Sequence, residues 1–177
     1  DDQIEALQAA AQEYPLDLER VAIRGWSFGG YLAALAVLRR PGVFHAAIAG
    51  APVTDWRLYD THYTERYLGD PNVDADAYDR ILAYSPYDQV TLRDYPPMLI
   101  TGGLTDPRVT YWEPAKWAAR LRHEAPEGGP YFLKINMDAG HGGVSGRFAS
   151  LRETALEFAF ALACTGKADG STWRHGK

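Results

Sequence analysis

Four short apolar runs, three of them leading into a segment that reads as helical, constrain this chain more than any other feature. Val21-Ala22-Ile23 is a β-rich run that reaches Gly25 and Ser27, and residues 29–39, full of Ala and Leu, follow as a helix that stops before Pro41. Phe44 to Ala49 is the second strand, closed by Gly50-Ala51-Pro52. Pro97 to Thr101 is the third, ending at Gly102-Gly103, with a helix over 113–123 behind it and Pro114 in the first turn, where proline is tolerated. After the turn Glu127-Gly128-Gly129-Pro130, residues Tyr131 to Ile135 make the fourth strand, and an amphipathic helix covers 148–162. A further helix over 2–14, with Ile4, Leu7, Ala11 and Tyr14 on one face, precedes them all and ends at Pro15.

Strands that alternate with helices at this spacing, each a near-continuous apolar run, predict a parallel sheet with helices on both faces. Residues 53–95 break the pattern: Tyr, Asp and Arg dominate, and the stretch reads as an excursion of short helices and loops. Four strands are few for such a sheet, and an opening on Asp1-Asp2 without Met reads like the interior of a longer protein, so further strands are expected upstream. Within the chain we expect one domain over 1–164 and a Gly/Ser/charge-rich, disordered tail over 165–177.

Composition excludes several functions. A net charge of −5, with no basic run longer than Arg39-Arg40, argues against nucleic acid or an anionic membrane as partner. No apolar stretch is long enough to span a bilayer as a helix. The single cysteine, Cys164, leaves no disulfide framework and no Cys-based zinc cluster, and neither a His-x-x-x-His pair nor a G-x-G-x-x-G turn suggests a metal or a dinucleotide, so no cofactor is expected. The compartment is left open, with a slight lean to the cytoplasm.

One motif carries chemistry. Gly25-Trp26-Ser27-Phe28-Gly29-Gly30 places a serine between a strand and a helix, on a turn sharp enough to need small neighbours, which Gly25 and Gly29 supply. The hydroxyl then projects above the sheet edge, and the Phe28 amide at the helix N-terminus points where an oxyanion would form. Such a serine needs a base and an orienting carboxylate, in the chain order Ser, acid, His. Of the five histidines, His45 lies in an apolar strand, His62 in the excursion, His123 near a helix end and His175 in the tail. His141, in the glycine-rich loop after the fourth strand, is where the base belongs. Asp106, after the third strand, is the favoured acid, with Asp138 as rival and Asp55 a distant third. Trp26, beside the serine, is either a wall of the site or a core plug. Trp56, Trp112 and Trp117 read as packing residues, and Arg108 and Arg147 as solvated loop arginines.

With these residues, the chain resembles the catalytic α/β-hydrolase domain of the prolyl oligopeptidase family of serine peptidases across residues 1–163. The resemblance implies Ser27 as nucleophile, Asp106 as orienting acid, His141 as base, and an oxyanion hole made by the Phe28 N–H and a tyrosine from a strand upstream. It also implies a β-propeller elsewhere in the parent chain, restricting substrates to short peptides. Gly25 to Tyr31 and Asp60 to Gly69 resemble the dipeptidyl peptidase IV branch, in which two tyrosines, here Tyr63 and Tyr67, line a small apolar pocket for proline or alanine. In contrast, Ser85-Pro86-Tyr87-Asp88, Asp106 to Trp117 and Gly140 to Arg147 resemble oligopeptidase B, which cuts after Arg or Lys using acidic residues such as Glu65 or Asp60 could supply. A buried cation needs a carboxylate, whereas flanking tyrosines suit a flat apolar ring. The expectation is therefore a serine peptidase leaning to cleavage after Pro or Ala. The alternatives are oligopeptidase B-like cleavage, an esterase or acyl-peptide hydrolase on the same triad, and an inactive fragment serving as a binding scaffold.

Overall fold

The computed structural model describes residues 1–58 and 61–166, and of residues 61–64 the backbone alone. Four strands, β1 (Ala22–Trp26), β2 (Ala46–Gly50), β3 (Met98–Gly103) and β4 (Tyr131–Asn136), form one sheet in the order of the sequence. All three pairings are parallel, with Ala22 opposite Ala46, Ala47 opposite Met98 and Met98 opposite Tyr131. Parallel neighbours need crossover connections, and these are α2 (Phe28–Arg39), the pair α3 (Thr61–Leu68) and α4 (Ala75–Leu82), and α5 (Trp112–Glu124). The helix α1 (Asp2–Glu13) precedes the sheet and α6 (Arg147–Cys164) follows it.

The two faces of the sheet follow from the alternation of side chains along each strand. Ala47, Ala49, Met98 and Ile100 face one way and pack against Val37 and Leu38 of α2 and Trp117 and Leu121 of α5, with Ile4 of α1 at the margin. Ala46, Ile48 and Leu99 face the other way, against Phe160 of α6. Helices thus lie on both faces, as expected, and β2 and β3 are buried throughout.

Some details differ from the sequence reading. β1 is not a continuously buried strand: its exposure alternates, because it pairs with β2 alone among the described residues and carries the charged Arg24. Arg24 answers the buried Glu157 of α6 at 2.7 Å, so an edge strand and a covering helix share an ion pair. Helix α6 is less cleanly amphipathic than its sequence suggests, since Phe148, Leu151 and Phe158 are exposed. Trp56 and Trp117 are buried as packing residues, but Trp112 is 44% exposed and lies edge-on to Tyr111. The tail beyond residue 166 lies outside the described residues, while Thr165 closes α6 by donating its N–H to the Ala161 carbonyl.

Candidate active site

The parallel sheet brings the ends of β1, β3 and β4 to one edge, and Ser27, Asp106 and His141 follow those three ends. Ser27 occupies the single residue between β1 and α2, with φ 57° and ψ −117°, a backbone region costly for a side chain other than glycine's. Two bonds hold it there: its N–H donates to Gly50 at 2.8 Å, and its carbonyl accepts from Tyr31 at 3.0 Å. The turn closes because Gly25 lacks a Cβ, which would lie 1.9 Å from the Gly29 carbonyl oxygen. Gly30 is equally constrained, by the Gly50 carbonyl 2.6 Å from where its Cβ would be. Gly29 is not: nothing lies within 4 Å of the equivalent point, so the steric demand read at Gly29 belongs to Gly30. Phe28 opens α2, and its N–H is one of the leading donors that a helix cannot satisfy internally.

Asp106 is held by its own loop. Its Oδ1 accepts from the N–H groups of Arg108 at 2.8 Å and Val109 at 2.9 Å, while Oδ2 meets His141 Nδ1 at 2.8 Å. The carboxylate is fully buried and the imidazole 19% exposed, so the pair has one shielded and one accessible end. With Nδ1 turned to Asp106, Nε2 is the nitrogen left to exchange a proton.

The loops of Asp106 and His141 are stitched together. Thr105 donates to the Ala139 carbonyl from its N–H at 3.1 Å and its hydroxyl at 3.0 Å. Gly103 belongs to β3 rather than to the turn after it, and a Cβ there would lie 2.3 Å from that same carbonyl oxygen. The loop tip is a tight turn in which Gly143 donates to Gly140. Trp26 reaches across from the serine's own turn: its indole N–H donates to the His141 carbonyl at 3.1 Å, and its ring lies 6.4 Å from the imidazole.

The rival residues are placed elsewhere or engaged otherwise. Asp138 and His123 are exposed, and His45 Nδ1 accepts a long bond from the Val21 N–H at 3.4 Å. Asp55 is buried in a bidentate pair with Arg57, which also holds Asp88 at 3.0 Å. Arg108 and Arg147 are exposed. Tyr67 is 67% exposed on α3, with the Arg66 guanidinium over its ring. The Tyr63 side chain, Asp60, His62 and His175 lie outside the described residues or side chains.

An aromatic cluster that the sequence did not single out borders the serine. Phe28 is 47% exposed and packs on Tyr31 at 5.2 Å and on Trp56 at 5.9 Å, while Trp56 also meets Tyr31 edge-on at 5.1 Å. Phe28 and Tyr31 are i, i+3 neighbours on α2, whereas Trp56 comes behind Phe28 only through the return of β2 beside β1.

Known proteins share the fold of this chain. The model of the prolyl oligopeptidase family matches residues 1–168. Protease 2 of Moraxella lacunata is 41% identical over 150 residues, covering 81% of this chain and 22% of its own. Dipeptidyl peptidase 8 of Mus musculus is 54% identical over 79 residues, covering 44% of this chain and 9% of its own. Among solved structures, oligopeptidase B from Leishmania major superposes with a TM-score of 0.83 at 32% identity, over 92% of this chain and 23% of that one. The chain therefore spans less than a quarter of the length of each of these relatives.

Proposed function

The chain belongs to the prolyl oligopeptidase family of serine peptidases, and on that premise we propose that it is the catalytic part of a serine peptidase acting on short peptides. The observation that carries the reading is the 2.8 Å bond between His141 Nδ1 and Asp106 Oδ2 at the sheet edge where β1 delivers Ser27 on its strained turn. In this reading Ser27 Oγ attacks the scissile carbonyl carbon as His141 Nε2 takes its proton. The oxyanion is held by the Phe28 N–H, and the imidazolium by Asp106. His141 then gives the proton to the departing amine, leaving an acyl-enzyme on Ser27. Water, deprotonated by the same imidazole, attacks that ester and releases the acid, restoring the hydroxyl. No cofactor enters the cycle.

For the residue before the cut, the reading leans to Pro or Ala. Phe28, backed by Tyr31 and Trp56, offers a flat apolar surface next to the nucleophile. Asp55 and Asp88, two acidic groups around the neighbouring Trp56 segment, are already paired with Arg57, and Lys116 lies 3.9 Å from Asp55. A substrate arginine would find them occupied, and burying its charge without a carboxylate is costly. Tyr63 and Tyr67 remain part of the proposed pocket, as does Trp26 as a bordering residue.

The test uses the intact polypeptide that carries this sequence. Initial rates are compared on a Gly-Pro anilide and an Arg anilide, with Ser27→Ala as the blank. Faster proline cleavage supports the apolar pocket. Faster arginine cleavage would replace it with an oligopeptidase B-like one. Hydrolysis of p-nitrophenyl esters alone would indicate an esterase or acyl-peptide hydrolase, and silence from both proteins an inactive scaffold.

A further inference from the structure

Glu113 takes no part in the chemistry above, yet it is 1% exposed and anchors the segment behind the aromatic wall. It stands in the first turn of α5, and the loop from Asp106 runs directly into that turn. Its Oε2 accepts from the N–H groups of Thr54 at 2.9 Å and Asp55 at 2.8 Å. The Thr54 hydroxyl reaches the same oxygen at 3.0 Å and the Glu113 main-chain carbonyl at 2.9 Å. Oε1 has no hydrogen-bond partner among the described residues. The next residue after this anchored pair is Trp56, whose ring supports Phe28 beside Ser27.

We propose that Glu113 is a positioning residue for substrate binding: by gripping Thr54 and Asp55 from α5, it fixes Trp56 behind Phe28 and so sets the shape of the wall that receives the substrate side chain. The proposal rests on the peptidase reading. It makes one carboxyl group the link between the element that follows the acid loop and the pocket that selects the substrate. The other support of the segment comes from residues 85–87, where the Ser85 hydroxyl accepts from the Trp56 N–H at 3.3 Å and the Tyr87 N–H donates to Thr54 at 2.8 Å.

Burial, opposed by the donors of Asp55 and Thr54, pushes Glu113 up to about 7. The charged groups around it are Asp55, whose carboxylate adds to the rise, Arg57 and Lys116 beside Asp55, and Asp88 across Arg57. A released segment would leave Glu113 hydrated and nearer its ordinary range. The proton is thus held more tightly in the anchored state, so anchoring is favoured while Glu113 is neutral and weakens as pH rises through about 7.

The experiment measures KM and kcat separately on the better anilide, between about pH 6 and about pH 8.5, across the ionisation that linkage makes decisive. Labelling of Ser27 by a fluorophosphonate reports the nucleophile independently of the pocket. Wild-type KM should climb by up to about tenfold over that range, while the ratio of wild-type to Glu113→Gln kcat stays within about threefold throughout. Glu113→Gln keeps a neutral acceptor in place and should hold KM flat near the wild-type value at low pH. Thr54→Val removes one donor without changing size and should raise KM about threefold at all pH values, with labelling unchanged. A wild-type KM that is flat across the range, a Glu113→Gln profile that still climbs, or a Thr54→Val KM equal to wild type would each overturn the proposal. Failure of the peptidase reading looks different: the wild type itself would not be labelled, and the proposal would fall with it.

Discussion

The indole N–H of Trp26 donates to the main-chain carbonyl of His141 at 3.1 Å, across 115 residues of sequence. The residue just before the proposed nucleophile therefore holds the loop of the proposed base. Trp26→Phe keeps the ring and removes this bond, which is worth about 1 kcal/mol, so kcat should fall about fivefold with KM nearly unchanged. Steady-state rates on an anilide check it, and an unaltered kcat would show that the bond does not position the imidazole.

Asp106 serves two purposes in its loop, accepting two backbone N–H groups through Oδ1 and the imidazole through Oδ2. Asp106→Asn should cost roughly a thousand- to ten-thousandfold in kcat by favouring the wrong imidazole tautomer. It should cost far less in stability, about 1 kcal/mol, because the amide oxygen still accepts from Arg108 and Val109 while its nitrogen donates to Nδ1 of that other tautomer. Anilide kinetics and denaturant titration on the same sample separate the two effects.

The two glycines that flank the serine should behave oppositely. Gly25→Ala forces a Cβ to within 1.9 Å of a backbone oxygen and should cost more than about 3 kcal/mol or prevent folding. Gly29→Ala meets open space within the first turn of α2 and should be neutral or stabilising by up to about 1 kcal/mol. Thermal midpoints of the two variants decide the matter, and equal losses would contradict the geometry of the turn.

Glu113 should also leave its mark on global stability. Its carboxyl is raised from 4.5 to about 7 in the folded protein. The folded state thus holds the proton more tightly than the unfolded chain, and the resulting stabilisation is complete below the unfolded value and lost as pH rises through about 7. The loss is on the order of 3 kcal/mol between those limits. Denaturant midpoints measured across that range should show the slope in the wild type and its disappearance in Glu113→Gln.

The sequence carried the order of the elements because strand and helix periods differ, and because Pro15, Pro41 and the glycine pairs punctuate them. It carried the nomination of Ser27, Asp106 and His141 because each follows a strand whose end a parallel sheet brings to one edge. Pairwise contacts were another matter. That Gly30 rather than Gly29 bears the steric load depends on β2 passing under α2, which no local motif encodes. The Glu113 anchor joins residues 59 positions apart, and a glutamate in a helical first turn reads from sequence as an ordinary helix-start residue. Trp112 reads from sequence as a packing residue, as Trp56 and Trp117 do, but it opens α5 44% exposed while Trp117 and Leu121 turn to the sheet.

Everything above turns on Ser27 as a nucleophile activated by His141. The most direct test treats the intact polypeptide with a fluorophosphonate and locates the adduct by peptide mass spectrometry. The account predicts a single adduct on Ser27, absent from Ser27→Ala and formed at least about a hundredfold more slowly in His141→Ala, where the base is gone. An adduct on another serine, or labelling of Ser27 that proceeds at the wild-type rate without His141, would contradict it.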